Sequence, residues 1–237
     1  MYYWLIFGFF MILSLIVQAR LKSKVRKYSK EFLPSGLTGR EIAEKMLHEH
    51  GIYDVQVQCI KGKLTDHYNP TNKTLNLSED VYNGSNVAAA AVAAHECGHA
   101  VQHQEAYHWL GFRSAMVPLA NIGGTLSTWL ILGGLLLLSF LHNPEDGSAN
   151  YMNIGYIVTL IGVALYGLTT IFTFVTLPVE YNASARALSW LETSGLVNDA
   201  MHRDAKDALK WAARTYVVAA LASLATLLYY ISIFTRR

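Results

Sequence analysis

Four apolar stretches alternate with polar ones along this 237-residue chain, and that alternation sets its organisation. Residues 1–19, 117–141, 151–177 and 216–234 each have about the length a helix needs to cross the hydrocarbon core of a bilayer. Glycines in the second and third runs, among them Gly123, Gly134, Gly155 and Gly162, suit close helix packing, so these two predict a membrane hairpin. Between the runs the period changes. Thr38-Gly39-Arg40-Glu41, followed by Ile42, Ala43, Met46 and Leu47, predicts a capped amphipathic helix that stops at Gly51. Val55-Gln56-Val57-Gln58-Cys59-Ile60 alternates as a strand does. Two short strands are predicted over 64–68 and 74–77, flanking the turn-rich Asn69-Pro70-Thr71-Asn72-Lys73. Residues 86–105, NVAAAAVAAHECGHAVQHQE, are alanine-rich and proline-free, and they open on Asn86 or Ser85 as N-cap, which predicts a helix. After the third apolar run, Pro178 is expected to end that helix or open the next. Ala185, Leu188 and Leu191 mark a further helix closing near Gly195, and another is expected through 205–213.

The alanine-rich helix carries His95-Glu96-Cys97-Gly98-His99, the H-E-x-x-H pattern. Residues four apart share one helical face, so both imidazoles can grip a single metal ion. Glu96 sits where its carboxylate reaches a water on that ion without ligating it. This arrangement suits zinc-assisted hydrolysis, with Glu96 as the catalytic base. An exposed helix with incidental histidines is the plainer alternative, and the helical, proline-free setting argues against it. Cys97 points roughly a quarter turn away from the histidine face and reads as a small packing residue.

Composition sharpens the class. Apolar residues make up 52% of the chain and charged ones 15%, with mean hydropathy +0.24, which points to a multi-pass protein of the lipid bilayer. Two cysteines supply no disulfide framework, and a net charge of +2 gives no reason to expect a nucleic-acid partner. Where the charges fall says more. Nothing basic precedes the first run, whereas Arg20, Lys22, Lys24, Arg26, Lys27 and Lys30 follow it. That order predicts an anchor with its C-terminal end in the cytoplasm rather than a cleaved signal peptide. The loop 142–150 contains no Lys or Arg and is expected outside. With this topology every Lys and Arg except the terminal Arg236 and Arg237 falls on the cytoplasmic side.

A catalytic zinc takes three protein ligands and keeps one position open. His103 continues the i, i+4 series, but it lies about 12 Å along the axis from His95, too far to converge with both histidines. The metzincin extension is absent, since Gln102 and Glu105 stand where its glycine and third histidine fall. The hairpin 117–177 leaves the cytoplasmic face and returns to it, and the first acidic residue on its return is Glu180. Glu180 is therefore well placed as a third ligand, with a solvated interfacial charge as the plainer alternative and Glu192, Asp199 and His202 as weaker competitors. Asp66 and His67 fall in the predicted sheet, as ordinary polar residues or as contributors to the site. Candidates for stabilising an oxyanion are His67, Tyr181, His202 and Arg186.

The segments LTDHYNP, LNLSEDVY, AAHECGHAVQH and LPVEYNASARAL, together with the N-terminal anchor, resemble the YugP-like neutral zinc metallopeptidases of bacteria. That resemblance spans essentially the whole chain and implies His95, His99 and Glu180 as zinc ligands and Glu96 as general base. More distantly, the layout is similar to the HtpX-like membrane gluzincins, whose second motif is E-x-x-x-D. Here Ser184 holds the aspartate position, and Asn182 or Ser184 would have to support the metal histidines.

The expected fold is thus mainly α: a polytopic membrane protein with about four transmembrane helices and a small α+β gluzincin-like zinc domain. That domain would be built from 20–115 and 178–214, on the cytoplasmic side of a bacterial cell membrane. Its expected substrate is a peptide or protein. An intramembrane-cleaving protease is one alternative, disfavoured because Gln102, His103, Gln104 and Glu105 make the motif helix a poor spanning segment. A non-catalytic, metal-stabilised scaffold is the other, and it gives Glu96 nothing to do.

Overall fold

The computed structural model describes residues 2–140 and 149–235. Most of the loop expected outside, residues 142–148, lies outside the described residues. Ten elements follow in order: α1 (Tyr2–Tyr28), α2 (Gly39–Glu49), β1 (Gln56–Ile60), β2 (His67–Asn69), β3 (Thr74–Ser78), α3 (Glu79–Tyr82), α4 (Val87–Gln104), α5 (His108–Phe140), α6 (Ala149–Thr193) and α7 (Asp199–Thr235). Their contacts define two units. One comprises Met1–Met11, Phe112–Val175 and Val218–Arg237, and the other Ile12–Gly111 and Thr176–Val217.

Among the described residues four helices, α1, α5, α6 and α7, are long and apolar enough to cross a membrane, and each covers the described part of one of the four apolar runs. All four exceed those runs. The 45 residues of α6 make it about 67 Å long, roughly twice the thickness of a hydrocarbon core. Two expected breaks are absent. Pro178 neither ends nor opens a helix, because α6 continues through it. A mid-helix proline lacks the N–H for its i−4 carbonyl and costs about 3 kcal/mol. The stripe of Val179, Ala183, Ala187 and Leu191, buried at helical spacing beyond it, outweighs that cost. Likewise, the helix expected over 205–213 and the span over 216–234 are one element, α7. Neither glycine nor proline interrupts it between Asp199 and Thr235, and buried Ala205, Leu209 and Ala213 lead on to Val218 and Ala220.

In the first unit α5 and α6 cross closely. A Cβ on Gly134 would sit 2.2 Å from Thr159 Oγ1 and 2.7 Å from Thr159 N, so that position requires glycine, and one on Gly155 would sit a tight 3.1 Å from Gly134 O. Thr170 and Ser223 hydrogen-bond at 2.8 Å, joining α6 to α7, and Tyr3 of α1 packs its ring 5.5 Å from Tyr229.

The second unit holds the sheet and its core. Strand order is β1-β3-β2, with β1 parallel to β3 (Gln56↔Thr74 to Ile60↔Ser78) and β2 antiparallel to it (His67↔Asn76 to Asn69↔Thr74). The predicted strand over 64–68 shortens to β2 because Leu64 adopts φ +57, which ends any extended run there. β3 is buried throughout, and Leu75 and Leu77 meet Ile42, Met46 and Leu47 of α2 in one core. Helix α4 runs through that core with small side chains, Ala90, Ala91, Ala93, Ala94 and Cys97, buried on every face. Its first half, Val87–Ala94, is apolar all round, as suits a helix segment enclosed by its neighbours. Asn86 caps α4 by accepting the N–H of Ala89, and Val87 N–H donates to Glu31 O at 2.9 Å, which fixes the start of the helix. The capping box of Thr38 and Glu41 is present at the start of α2.

Candidate metal centre

The i, i+4 spacing puts His95 and His99 on one face of α4, their rings 4.8 Å apart between centroids. The segment of α6 just past Pro178 brings Glu180 to the same point. Glu180 Oε2 lies 3.3 Å from His95 Nε2 and 3.7 Å from His99 Nε2, with its side chain 4% exposed. The approach depends on Gly98, the second x of the motif. A Cβ there would stand 2.6 Å from Ala183 O, so only glycine lets α4 lie this close to the backbone that presents Glu180.

The three donors suit zinc. One ligand atom from each of His95, His99 and Glu180 falls within 4.8 Å of the others. Tetrahedral zinc with bonds near 2.0–2.1 Å sets neighbouring donor atoms about 3.3–3.5 Å apart, close to the two separations above. Two imidazoles and one carboxylate form a recurring catalytic zinc set that leaves a fourth position open. The outer nitrogens are occupied, as metal-binding histidines require: Ser184 Oγ lies 3.1 Å from His95 Nδ1, and Gln102 Oε1 lies 3.0 Å from His99 Nδ1. Burial on its own would lower the pKa of His99, yet the carboxylates of Glu180 and Glu96, with Gln102, raise it.

Glu96 is buried beside them. Its Oε2 accepts the N–H of Tyr68 at 3.1 Å, so edge strand β2 gives that N–H to the carboxylate and holds it in place. Cys97 packs in the core with its Sγ against Ala43 O at 3.5 Å, and burial pushes its thiol pKa well up, as suits a packing residue and no ligand.

Other sequence candidates are held elsewhere. His103 bonds to the Tyr68 hydroxyl at 2.9 Å and stands outside the donor group. Asp66 accepts the N–H and hydroxyl of Ser78, closing the turn from β3 into α3. His67 faces Thr65 O at 2.8 Å and Asn76 Nδ2 at 3.3 Å. His202 Nε2 lies 3.2 Å from Leu188 O, while Glu192, Asp199 and Tyr181 are exposed. Arg186 pairs with Glu105 at 2.6 Å and bonds Asn182, and that ion pair lowers the pKa of Glu105. Two residues that hold the site were not singled out for it in the sequence, Tyr68 and Gln102. For Gln102 a signal existed: a polar residue three positions after His99 within an otherwise buried helix. Tyr68 acts through its backbone, which no side-chain pattern reveals. A cavity of about 520 Å³ lies between the loop after α2, β2 and the C-terminal part of α4, walled by Tyr53, Val55, Tyr68, Ala100 and His103, and none of the donor group or Glu96 lines it.

A mainly helical chain with four helices of bilayer-spanning length among its described residues thus brings two histidines and a carboxylate together on an H-E-x-x-H helix, a donor set that catalytic zinc sites use. Over residues 3–235 it matches the family described as "Putative neutral zinc metallopeptidase", and it belongs to that family. It is similar to the "Putative membrane protease YugP" of Bacillus subtilis (strain 168), at 41% identity over 222 residues, 94% of this chain and 92% of the relative. No solved structure matches the chain.

Proposed function

We propose that this protein is a membrane-embedded zinc metallopeptidase of gluzincin type that hydrolyses peptide bonds, with its site facing the cytoplasm. The observation that carries the reading is the convergence of His95, His99 and Glu180 beside the buried Glu96. His95, His99 and Glu180 would hold the ion. A zinc ion held by them would supply Lewis acidity and lower the pKa of a water at the site. Glu96, held by the Tyr68 N–H, accepts the proton of the attacking water and passes it to the departing amine. Burial around Glu180 and His99 excludes bulk water and strengthens each charge interaction. A donor group of three members among the described residues favours a catalytic over a structural site, which closes all four positions. Purified full-length protein should cleave an unfolded polypeptide, stop when a chelator strips the metal, and resume when zinc is returned. Cleavage undiminished at full chelation would refute the zinc reading.

The cytoplasmic placement follows from the basic residues after the first run and in the stretch 186–214. Native cysteines test it directly, since Cys59 is exposed on β1 and Cys97 is buried. In intact cells an impermeant thiol reagent should leave the wild-type protein unlabelled. A Ser148→Cys substitution in a Cys59→Ser background should be labelled. Labelling of Cys59 in intact cells would reverse the topology.

A further inference from the structure

We infer that Gln102 is a positioning residue of the metal centre: it fixes His99 with its proton on Nδ1 and ties the histidine helix to the segment bearing Glu180. This rests on reading His95, His99 and Glu180 as the metal ligands.

Gln102 lies on α4 one turn after His99, and it is fully buried. Its amide has two N–H groups to give and one oxygen to accept with. The nitrogen lies 2.9 Å from Val179 O and 2.9 Å from Asn182 Oδ1, and the oxygen lies 3.0 Å from His99 Nδ1. Neither end of this chain of bonds is a free choice. Val179 O is a backbone carbonyl, which only accepts, so the atom facing it must be the amide nitrogen. At the other end, Arg186 Nε lies 2.8 Å from Asn182 Oδ1, and a guanidinium only donates. The Asn182 atom shared by Arg186 and Gln102 is therefore the oxygen, and it takes the second N–H of Gln102. Only the Gln102 oxygen remains for His99, and an amide oxygen only accepts. His99 Nδ1 must bring the proton, which leaves the ring's lone pair on Nε2, the nitrogen that faces Glu180.

His95 is held differently. Its partner is the Ser184 hydroxyl, which can give or accept and so does not select a tautomer. The protein thus sets one histidine in advance and leaves the other adaptable. The same amide grips both sides of the third ligand, since Val179 precedes Glu180 by one residue and Asn182 follows it by two. The ion pair of Arg186 with Glu105, at the C-cap of α4, closes the loop between the two elements.

Full-length protein in detergent, zinc-loaded and ¹⁵N-labelled at histidine, gives the first test by NMR. Wild-type His99 should coordinate through Nε2 and show a slowly exchanging Nδ1–H. Coordination through Nδ1, or a freely exchanging ring proton, would overturn the inference without any variant having to fold. Gln102→Leu keeps the bulk and removes all three bonds. It should weaken zinc about ten- to a hundredfold in a chelator competition and speed exchange of the His99 ring proton at least tenfold, with His95 little changed. Gln102→Glu still accepts from His99 but cannot donate to Val179 or Asn182. It should keep the slow Nδ1–H while losing affinity, which a role in bulk packing would not produce. Wild-type affinity in Gln102→Leu would sink this inference alone, whereas a wild-type protein that binds no zinc would sink the ligand assignment as well.

Discussion

Glu96→Gln is expected to keep its zinc, helix content and membrane insertion while hydrolysis falls about a hundred- to ten-thousandfold, equivalent to roughly 3–5 kcal/mol of transition-state stabilisation. The amide has the shape of the carboxylate, and its oxygen can still accept the Tyr68 N–H that holds Glu96 at 3.1 Å. It cannot take a proton from water, so the variant loses the base and nothing else. None of the three donors at the metal centre is touched. Metal content, circular dichroism and a cleavage assay on the same purified preparation check the separation of effects. Comparison of cellular proteins between wild-type and Glu96→Gln strains would then reveal which substrates accumulate. Cleavage by purified Glu96→Gln at the wild-type rate would dismiss the peptidase assignment.

Glu180→Ala is expected to lose zinc and activity together while the protein still inserts, because Glu180 lies beyond the apolar run that ends at residue 177. Two histidines alone hold the ion loosely. The loss of affinity should therefore exceed the roughly 10–100-fold typical of removing a hydrogen-bond partner of a ligand. Glu180→Gln tests charge at constant shape. It should be nearly as damaging, since a neutral amide forfeits the attraction to Zn²⁺. At 4% side-chain exposure, position 180 also loses packing in the alanine variant, and the glutamine variant separates that contribution from ligation. Glu192→Ala and Asp199→Ala are matched controls at exposed positions and should retain full metal. Metal analysis of the four purified variants decides the matter. Full zinc in Glu180→Ala, with depletion in either control, would move the third ligand elsewhere.

Local chemistry made much of this protein legible. The capping box at Thr38 and Glu41, the N-cap at Asn86, the alternation of 55–60 and the stop at Gly195 each depend on neighbours in sequence, and each is present. Helix ends were less legible, because a breaker is judged by its local cost whereas the outcome also depends on distant packing. Pro178 shows this: the rule for proline is sound, but Val179, Ala183 and Leu191 bury a stripe that carries α6 through it. The missing break in α7 has a different cause: no breaker lies there, and a polar-to-apolar change in composition alters the solvent while leaving helical φ and ψ intact.

The candidate site divides along the same line. By itself the sequence determined two histidines on one helix face and the carboxylate between them, because a spacing of four residues on a helix is already a spatial statement. It also determined the four apolar runs and the clustering of basic residues behind the first of them, both of which depend on composition alone. Only the tertiary structure decided how the histidines are held. It assigned Ser184 to His95 and Gln102 to His99, used Asn182 to anchor Gln102, and gave Glu96 the backbone N–H of Tyr68. Apart from the bond of Gln102 to His99, three residues apart on α4, these hydrogen bonds join residues separated by 28 to 89 positions, have no periodic signature and exist only once α4, β2 and α6 are packed together.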